Sequence, residues 1–237
     1  MELYIAGGVG EHGRNCFYLQ NGEDAILVDC GLMAGSNDPL PRLTESQIRK
    51  LKAVFLTHSH ADHTGALPWL LRQGYTGPII STTPTLQQLP FIVQNAVALE
   101  QVAPRNEKCN GITWGLSGHC EGSVWLKLDW DGKAILFSGD YTEQSAVYPG
   151  DVLRHQVADL AVLDCAYGHD STLWNDSVTA AAAAVENLLE KAPIVFLPVP
   201  KYGRGLDLLL QIRHRLPYVP LYGDAHFCKQ TEIALVD

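Results

Sequence analysis

Three histidines and one aspartate occur within six consecutive residues of this chain, as His58, His60, Asp62 and His63. Imidazole nitrogens and carboxylate oxygens are good ligands for zinc and related divalent ions. Two neighbouring divalent ions lower the pKa of a shared water molecule toward neutrality, so that it can act as a hydroxide nucleophile. The spacing therefore indicates a metal site with hydrolytic chemistry.

The segments on either side of this cluster predict where it lies in the fold. Residues 53–57 form an apolar run typical of a buried strand, and residues 64–72 have the pattern of a helix that ends at Gly74. A loop from the carboxyl end of a strand into a helix is where α/β proteins place their chemistry. A histidine tag would be a terminal homopolymer, whereas this cluster is internal, so we interpret it as a metal site.

A complete metal site needs further ligands, and two turns later in the chain offer them. His119 lies in a Gly-His turn between two predicted strands, residues 111–116 and 123–130. Asp140 ends the Ser-Gly-Asp sequence that follows another apolar run. Either residue alone could be a plain turn residue. Together with the first cluster, His119 is a candidate third ligand of one ion, and Asp140 a candidate bridge between two ions.

Composition narrows the class of protein. The 237 residues, of which 46% are hydrophobic, suit one large domain or one domain plus part of another. The sequence lacks an apolar run of membrane-spanning length, and its first residues lack a basic signal-peptide region. We therefore expect a soluble, cytoplasmic protein with no membrane partner.

Charge and cysteine content argue against two further classes of protein, avid non-specific binders of nucleic acid and disulfide scaffolds. A formal net charge of −9 argues against avid, non-specific binding of nucleic acid, although bound divalent ions would offset part of that charge at the site. The six cysteines are scattered and contain no CxxC pair, which argues against a disulfide scaffold. Reduced thiols are expected.

Four motifs in chain order resemble those of the metallo-β-lactamase superfamily. They are Val28-Asp29-Cys30-Gly31, the cluster at residues 58–63, the Gly-His turn and the Ser-Gly-Asp sequence, and they cover roughly residues 1–165. The resemblance implies an α/β fold, the four-layer αββα sandwich, with two divalent metal ions, usually Zn²⁺, with Mn²⁺ as the alternative. It further implies that His58, His60 and His119 hold the first ion, that Asp62 and His63 hold the second, that Asp140 bridges the two, and that Asp29 orients the ligands from behind.

Three other segments resemble the β-CASP nucleases within that superfamily. They are the glycine-rich residues 7–15, the sequence Leu163-Asp164-Cys165-Ala166-Tyr167-Gly168, and residues 198–209, which contain Tyr202-Gly203-Arg204. Ala166 stands where these nucleases usually have threonine. The resemblance implies a metallo-β-lactamase-like domain over residues 1–192 and the start of a β-CASP-like extension over residues 193–237. It implies catalytic roles for Asp62, Asp140 and Asp164, and we expect Lys201 and Arg204 to contact substrate phosphate.

One expected ligand has no match. In this superfamily a last histidine completes the second metal, and in β-CASP members it follows the inserted domain. His169, His214 and His226 do not match its motif, and Asp237 comes soon after the insertion begins. We therefore expect either a shortened relative or a fragment of a longer reading frame.

Three functional hypotheses follow. The first is a nuclease that hydrolyses phosphodiester bonds in RNA, with DNA as the less favoured substrate, by a dimetal-activated hydroxide. The second is a small-molecule metallohydrolase that acts on a thioester, lactone or phosphodiester, and the acidic charge favours it. The third is a partner-dependent or inactive β-CASP-like subunit. The expected partners are the nucleic acid substrate and a homo-oligomer or partner subunit. Metal content separates the third from the others, because a degenerate site would hold one ion or none.

Overall fold

The computed structural model describes the backbone of residues 1–236 and the side chains of residues 1–232. Its first sheet has six strands in chain order: β1 (Glu2–Gly7), β2 (Cys16–Asn21), β3 (Asp24–Val28), β4 (Leu51–Phe55), β5 (Ile79–Ser81) and β6 (Ala96–Ala98). The pairs β1–β2 and β2–β3 are antiparallel, and the pairs from β3 to β6 are parallel. The parallel strands end at one edge, which is where ligands bind in such sheets.

The second sheet has four strands in the order β10–β9–β8–β7: β7 (Ile112–Leu116), β8 (Val124–Trp130), β9 (Lys133–Phe137) and β10 (Leu160–Val162). Asp131 and Gly132 join β8 to β9, and both have positive φ angles, +51° and +70°. A two-residue turn with positive φ at both positions matches the right-handed twist of the flanking strands, which explains the Asp-Gly pair here.

The helices of the described chain are mostly short: α1 (Glu45–Arg49), α2 (Ala61–Thr64), α3 (Leu67–Arg72), α4 (Thr83–Gln88), α5 (Leu99–Val102), α6 (Trp174–Leu189), α7 (Gly205–Arg215) and α8 (Ala225–Val236). The helix expected over residues 64–72 is divided, because α2 ends at Thr64 and α3 begins at Leu67. Gly65 at the division leaves no room for a Cβ atom, which would lie 2.5 Å from the Ala61 carbonyl oxygen. None of the helices described is long and apolar enough to cross a membrane.

Two apolar layers hold the sheets in place. Between the sheets, Phe17, Val28 and Phe55 of the first pack with side chains such as Trp114 and Phe137 of the second. The opposite face of the first sheet is covered by Ile48 of α1 and by Leu67 and Leu70 of α3. The α/β class predicted from the motifs is confirmed, and the packed sheets hold the strand ends beneath the candidate site.

A smaller apolar cluster joins α6 to α7 through Ala182, Val185 and Ile212. The expected boundary after residue 192 therefore falls between two helices that share a cluster. The apolar sequence at residues 194–197 predicts a strand, but none is formed there, and Ile194 and Phe196 are 65% and 87% exposed. An apolar run becomes a strand only when neighbouring backbone satisfies its N–H and C=O groups, and this run is not in either of the described sheets.

Candidate metal centre

Four chain segments meet where strands of both sheets end. Asp29 follows β3, residues 57–63 follow β4, His119 follows β7 closely, and Asp140 follows β9. Ligand atoms of His58, His60, His119 and Asp140 all lie within 4.8 Å of one another. The fold thus brings together side chains that are up to 82 positions apart in the sequence.

Three imidazole nitrogens form the first half of the site. His119 Nε2 is 3.1 Å from His60 Nδ1 and 3.4 Å from Asp140 Oδ2, and His58 Nε2 is 3.8 Å from the same carboxylate oxygen. His60 Nε2 donates to the backbone carbonyl oxygen of Tyr202 at 3.1 Å. Because a carbonyl oxygen can only accept, the proton of His60 is on Nε2, and the Nδ1 lone pair faces the site.

The tautomer of His58 is fixed in the same way. The Thr57 hydroxyl donates to Asp29 Oδ2 at 2.9 Å, so its oxygen accepts from His58 Nδ1 at 3.1 Å. His58 Nε2 therefore carries a lone pair, and among the described side chains it is buried without a hydrogen-bond partner. Burial lowers the pKa of His58 well below its ordinary value. Burial likewise lowers the pKa of His119 to about 3, although Asp140 opposes the shift. The lowered pKa values of His58 and His119 favour neutral imidazoles there, and the lone pairs of His58 Nε2 and His60 Nδ1 face the site, which suits a divalent cation.

The second half of the site combines one imidazole with two carboxylates. His63 Nε2 is 3.2 Å from Asp140 Oδ1 and 3.6 Å from Asp62 Oδ2. Burial alone would lower the pKa of His63, but the carboxylates of Asp29 and Asp140 raise it well above its ordinary value. Such a field favours a positive charge at Nε2, and a divalent cation would replace the proton there.

Asp140 lies between the two halves. Its Oδ2 faces the nitrogens of His58 and His119, and its Oδ1 faces His63. Burial would raise the pKa of Asp140, but a hydrogen bond from His63 and the neighbouring imidazoles hold it well below its ordinary range. The group is thus an ionised carboxylate with one oxygen directed to each half, and the donor set fits divalent metal binding.

Asp29 lies behind the site and contacts it through Thr57 and His63. Its carboxylate accepts hydrogen bonds from Thr57 N at 2.8 Å, from the Thr57 hydroxyl and from His63 Nδ1 at 2.8 Å. Its φ angle is +60°, a conformation that Asp and Asn tolerate better than most residues. The contact to His63 Nδ1 leaves Nε2 directed into the site.

Sequence reasoning missed three supporting residues. Asn15 Nδ2 lies 3.0 Å from His63 Nε2 and 3.3 Å from the Asp62 carbonyl oxygen, and Thr57 and Tyr202 contact ligand histidines as described above. Asn15 ends the glycine-rich segment at residues 7–15, which is the signal that could have indicated it. Tyr202 acts through its backbone, so its side chain gives no signal.

The remaining predicted residues lie outside the group of four converging ligand residues, as do Asp62 and His63. Asp164 is exposed, and its carboxylate accepts from Ala166 N at 2.9 Å and from Tyr141 N at 3.4 Å. Tyr141 directly follows Asp140, so Asp164 adjoins the site without belonging to the group of converging ligands. His169, His214 and His226 also lie outside that group.

Two cations approach from residues 201–204. Arg204 Nη1 donates to the Tyr167 hydroxyl at 2.6 Å, and its guanidinium lies 4.8 Å from the ring centre of Trp174. Its charge contributes to the lowered pKa of His119. The Lys201 ammonium lies 5.1 Å from the ring centre of Tyr202.

Comparison with known proteins agrees with this geometry. Residues 9–188 match the metallo-beta-lactamase superfamily, and the chain belongs to that superfamily. The membership expected from the four motifs is confirmed.

Curated relatives match either nearly the whole chain or a shorter part of it. Transcription termination factor FttA of Methanosarcina mazei is 26% identical over 272 residues, which cover 96% of this chain and 42% of the relative. Ribonuclease TTHA0252 of Thermus thermophilus is 25% identical over 251 residues, which cover 95% of this chain and 58% of the relative. FttA of Methanocaldococcus jannaschii is 43% identical over 88 residues, or 36% of this chain and 14% of the relative. The chain spans about half the length of the first two relatives.

Proposed function

We propose that this chain is the metal-binding part of a hydrolase that cleaves phosphodiester bonds in RNA, with two zinc or manganese ions. The observation that carries the proposal is the Asp140 carboxylate, which directs one oxygen to His58 and His119 and the other to His63. The names of the relatives, a ribonuclease and a transcription termination factor, support RNA over DNA and small molecules.

A pair of divalent ions bound here would supply Lewis acidity and a hydroxide nucleophile at neutral pH. The protein side chains position the parts of the site and accept the released proton. Asp140 contacts both halves of the site and so fixes their relative position. Asp29 holds His63 with Nε2 directed inward. The carboxylate of Asp62 is about one-third exposed beside His63, and we assign it the proton released from the attacking water. Asp164 fixes the backbone at Tyr141 and thereby the approach of Asp140.

Substrate contacts are assigned to the cations on the rim. The Arg204 guanidinium lies over the ring of Trp174 at 4.8 Å and over the ring of Tyr167 at 5.4 Å, and these contacts hold it in place for a phosphate oxygen. Lys201 is exposed and adds a second positive charge to the same edge. Two cations beside a site in a chain of net charge −9 favour selective over general nucleic-acid binding.

Residues 1–192 are proposed as the metallo-β-lactamase-like domain of a cytoplasmic protein, and residues 193–237 as part of a β-CASP-like segment. The resemblance at residues 198–209 supports this division, and residues 193–237 supply the rim cations.

The decisive experiment incubates the purified chain, loaded with Zn²⁺ or Mn²⁺, with end-labelled single-stranded RNA and DNA. We expect RNA cleavage that is lost with chelator and with His60→Ala, and kept in His214→Ala, which alters an exposed histidine of α7. Intact RNA together with hydrolysis of a simple phosphodiester or thioester would favour the small-molecule hydrolase. One bound ion or none, without any hydrolysis, would favour the partner-dependent or inactive subunit.

A further inference from the structure

A short segment from the carboxyl-terminal part of the chain lies directly against the first half of the metal centre. Residues 202–204, here named the 202–204 segment, reach the site from 142 positions beyond His60, whose Nε2 donates to the Tyr202 carbonyl oxygen at 3.1 Å. This hydrogen bond is what places the proton of His60 on Nε2 and frees Nδ1 for an ion.

Glycine is required at the centre of the segment. The φ angle of Gly203 is +104°, and a Cβ atom there would lie 3.0 Å from the His119 carbonyl oxygen and 3.8 Å from His60 Cε1. The backbone of Gly203 also interacts with the buried Tyr148 hydroxyl. The segment therefore contacts two of the three histidines in the first half, and a side chain at position 203 would push it away.

Contacts on its other side fix the position of the segment. Arg204 Nη1 donates to the Tyr167 hydroxyl at 2.6 Å, and the guanidinium stacks on Trp174. Asp207, in the first turn of α7 and 2% exposed, accepts from Trp174 Nε1 at 3.2 Å and from Ala146 N at 2.7 Å. The site thus depends on α7 and its surroundings, although all the metal ligands come from residues 58–140.

We infer that the 202–204 segment is a positioning element for the first ion: the Tyr202 carbonyl group orients the His60 ring and fixes its tautomer, and so sets the affinity of the His58–His60–His119 half for its metal. Asp62 and His63 have other supporting contacts, so the second half is independent of the segment. The inference requires metal binding at this centre but not any particular substrate. Its failure is therefore distinguishable from failure of the proposed nuclease activity.

The test compares Gly203→Ala with Gly74→Ala. Gly74 also has a positive φ, +92°, but open space where its Cβ would lie, so the control carries the backbone strain without the collision. Zn²⁺ affinities are measured by competition with a chromophoric chelator, and the ligand field by the visible spectrum of the Co²⁺-loaded chain. We expect Gly203→Ala to bind the first ion roughly 10–100-fold more weakly and to have an altered Co²⁺ spectrum. Its affinity for the second ion should be unchanged. Affinities and spectra equal to those of Gly74→Ala overturn the inference.

A second variant separates an effect on metal affinity from an effect on folding. Tyr167→Phe removes the hydroxyl that accepts from Arg204 and introduces no backbone strain. We expect it to weaken the same ion, by less than Gly203→Ala, at an unchanged melting temperature of the metal-free chain. If Gly203→Ala melts below Gly74→Ala when metal-free, Tyr167→Phe decides, and an unchanged affinity for both ions in that variant overturns the inference.

Discussion

The Asp29 carboxylate accepts a hydrogen bond from His63 Nδ1 at 2.8 Å, although the two residues are 34 positions apart. The contact holds Nδ1 of the His63 ring toward Asp29 and thereby directs Nε2 toward Asp140. Asp29 has no direct contact with the converging ligand atoms of the first half, so its effect on metal binding is exerted through His63 and Thr57.

Asp29→Asn should weaken metal binding without unfolding the chain. Asparagine tolerates the φ angle of +60° at this position. Its NH₂ group, however, must face either Thr57 N–H or His63 Nδ1–H, both of which are donors. We expect an affinity loss of roughly 10–100-fold, measured by isothermal titration with Zn²⁺.

Asp131→Asn is the matched control for this variant, since Asp131 also has a positive φ, +51°, but lies exposed in the β8–β9 turn. It should bind Zn²⁺ as the unaltered chain does. Equal affinities in Asp29→Asn and Asp131→Asn would mean that His63 is oriented without Asp29.

Asp140→Asn should change the number of bound ions from two to one. The variant keeps the shape of the side chain but replaces one carboxylate oxygen by a donor, so only one half of the site keeps its acceptor. Metal content is measured by elemental analysis after dialysis, with Asp131→Asn again as the control. Retention of two ions at unchanged affinity would contradict the bridging role of Asp140.

How far the sequence predicts this site depends on whether a contact is made by contiguous side chains. Residues 58–63 were predicted because the ligands are adjacent and follow an apolar strand. Asp29, His119 and Asp140 were predicted only with the help of the first cluster and the family resemblance, because each of them alone could be a plain turn residue. Each of them lies near the end of a strand, and the sheets bring those ends together.

Contacts through backbone atoms escaped prediction. The Tyr202 carbonyl group has no signature in the sequence, and neither residue type nor spacing links it to His60. The strand expected over residues 194–197 is wrong for a related reason. Its apolar pattern is local, but strand formation depends on partner backbone, and Phe196 is exposed instead.

Acid should destabilise the chain partly through Glu11. Its carboxylate accepts from Arg14 Nε at 2.6 Å and from Arg14 Nη2 at 2.8 Å, and Arg14 is buried. The hydrogen bond from Arg14 is the largest cause of the lowered pKa of Glu11, about 2 against an ordinary 4.5. A depressed pKa in the folded chain adds stability above the unfolded value, so this contribution is present above about pH 4.5 and is lost as pH falls toward 2.

Urea unfolding of the metal-free chain between pH 7 and pH 2.5 measures this contribution. Glu11→Gln should have a lower midpoint at pH 7 and a shallower decline below pH 4.5 than the unaltered chain. Glu45→Gln, which alters an exposed ion pair with Arg49, should follow the unaltered chain. Parallel pH profiles for Glu11→Gln and the unaltered chain would show that Glu11 does not titrate with folding.

Lys201→Ala should weaken RNA binding without altering the metal centre. The Lys201 ammonium is exposed over the Tyr202 ring, beside the rim of the site, and has no described contact with a ligand histidine. Loss of one phosphate contact raises KM and reduces the slope of log affinity against log salt by about 1, while kcat and metal content stay unchanged. KM is measured on single-stranded RNA over a series of salt concentrations.

Lys229→Ala removes an exposed lysine of α8 and should leave KM and the slope unaltered. If both variants give the same slope as the unaltered chain, the RNA phosphates do not pass over Lys201, and the substrate path proposed along residues 201–204 is wrong.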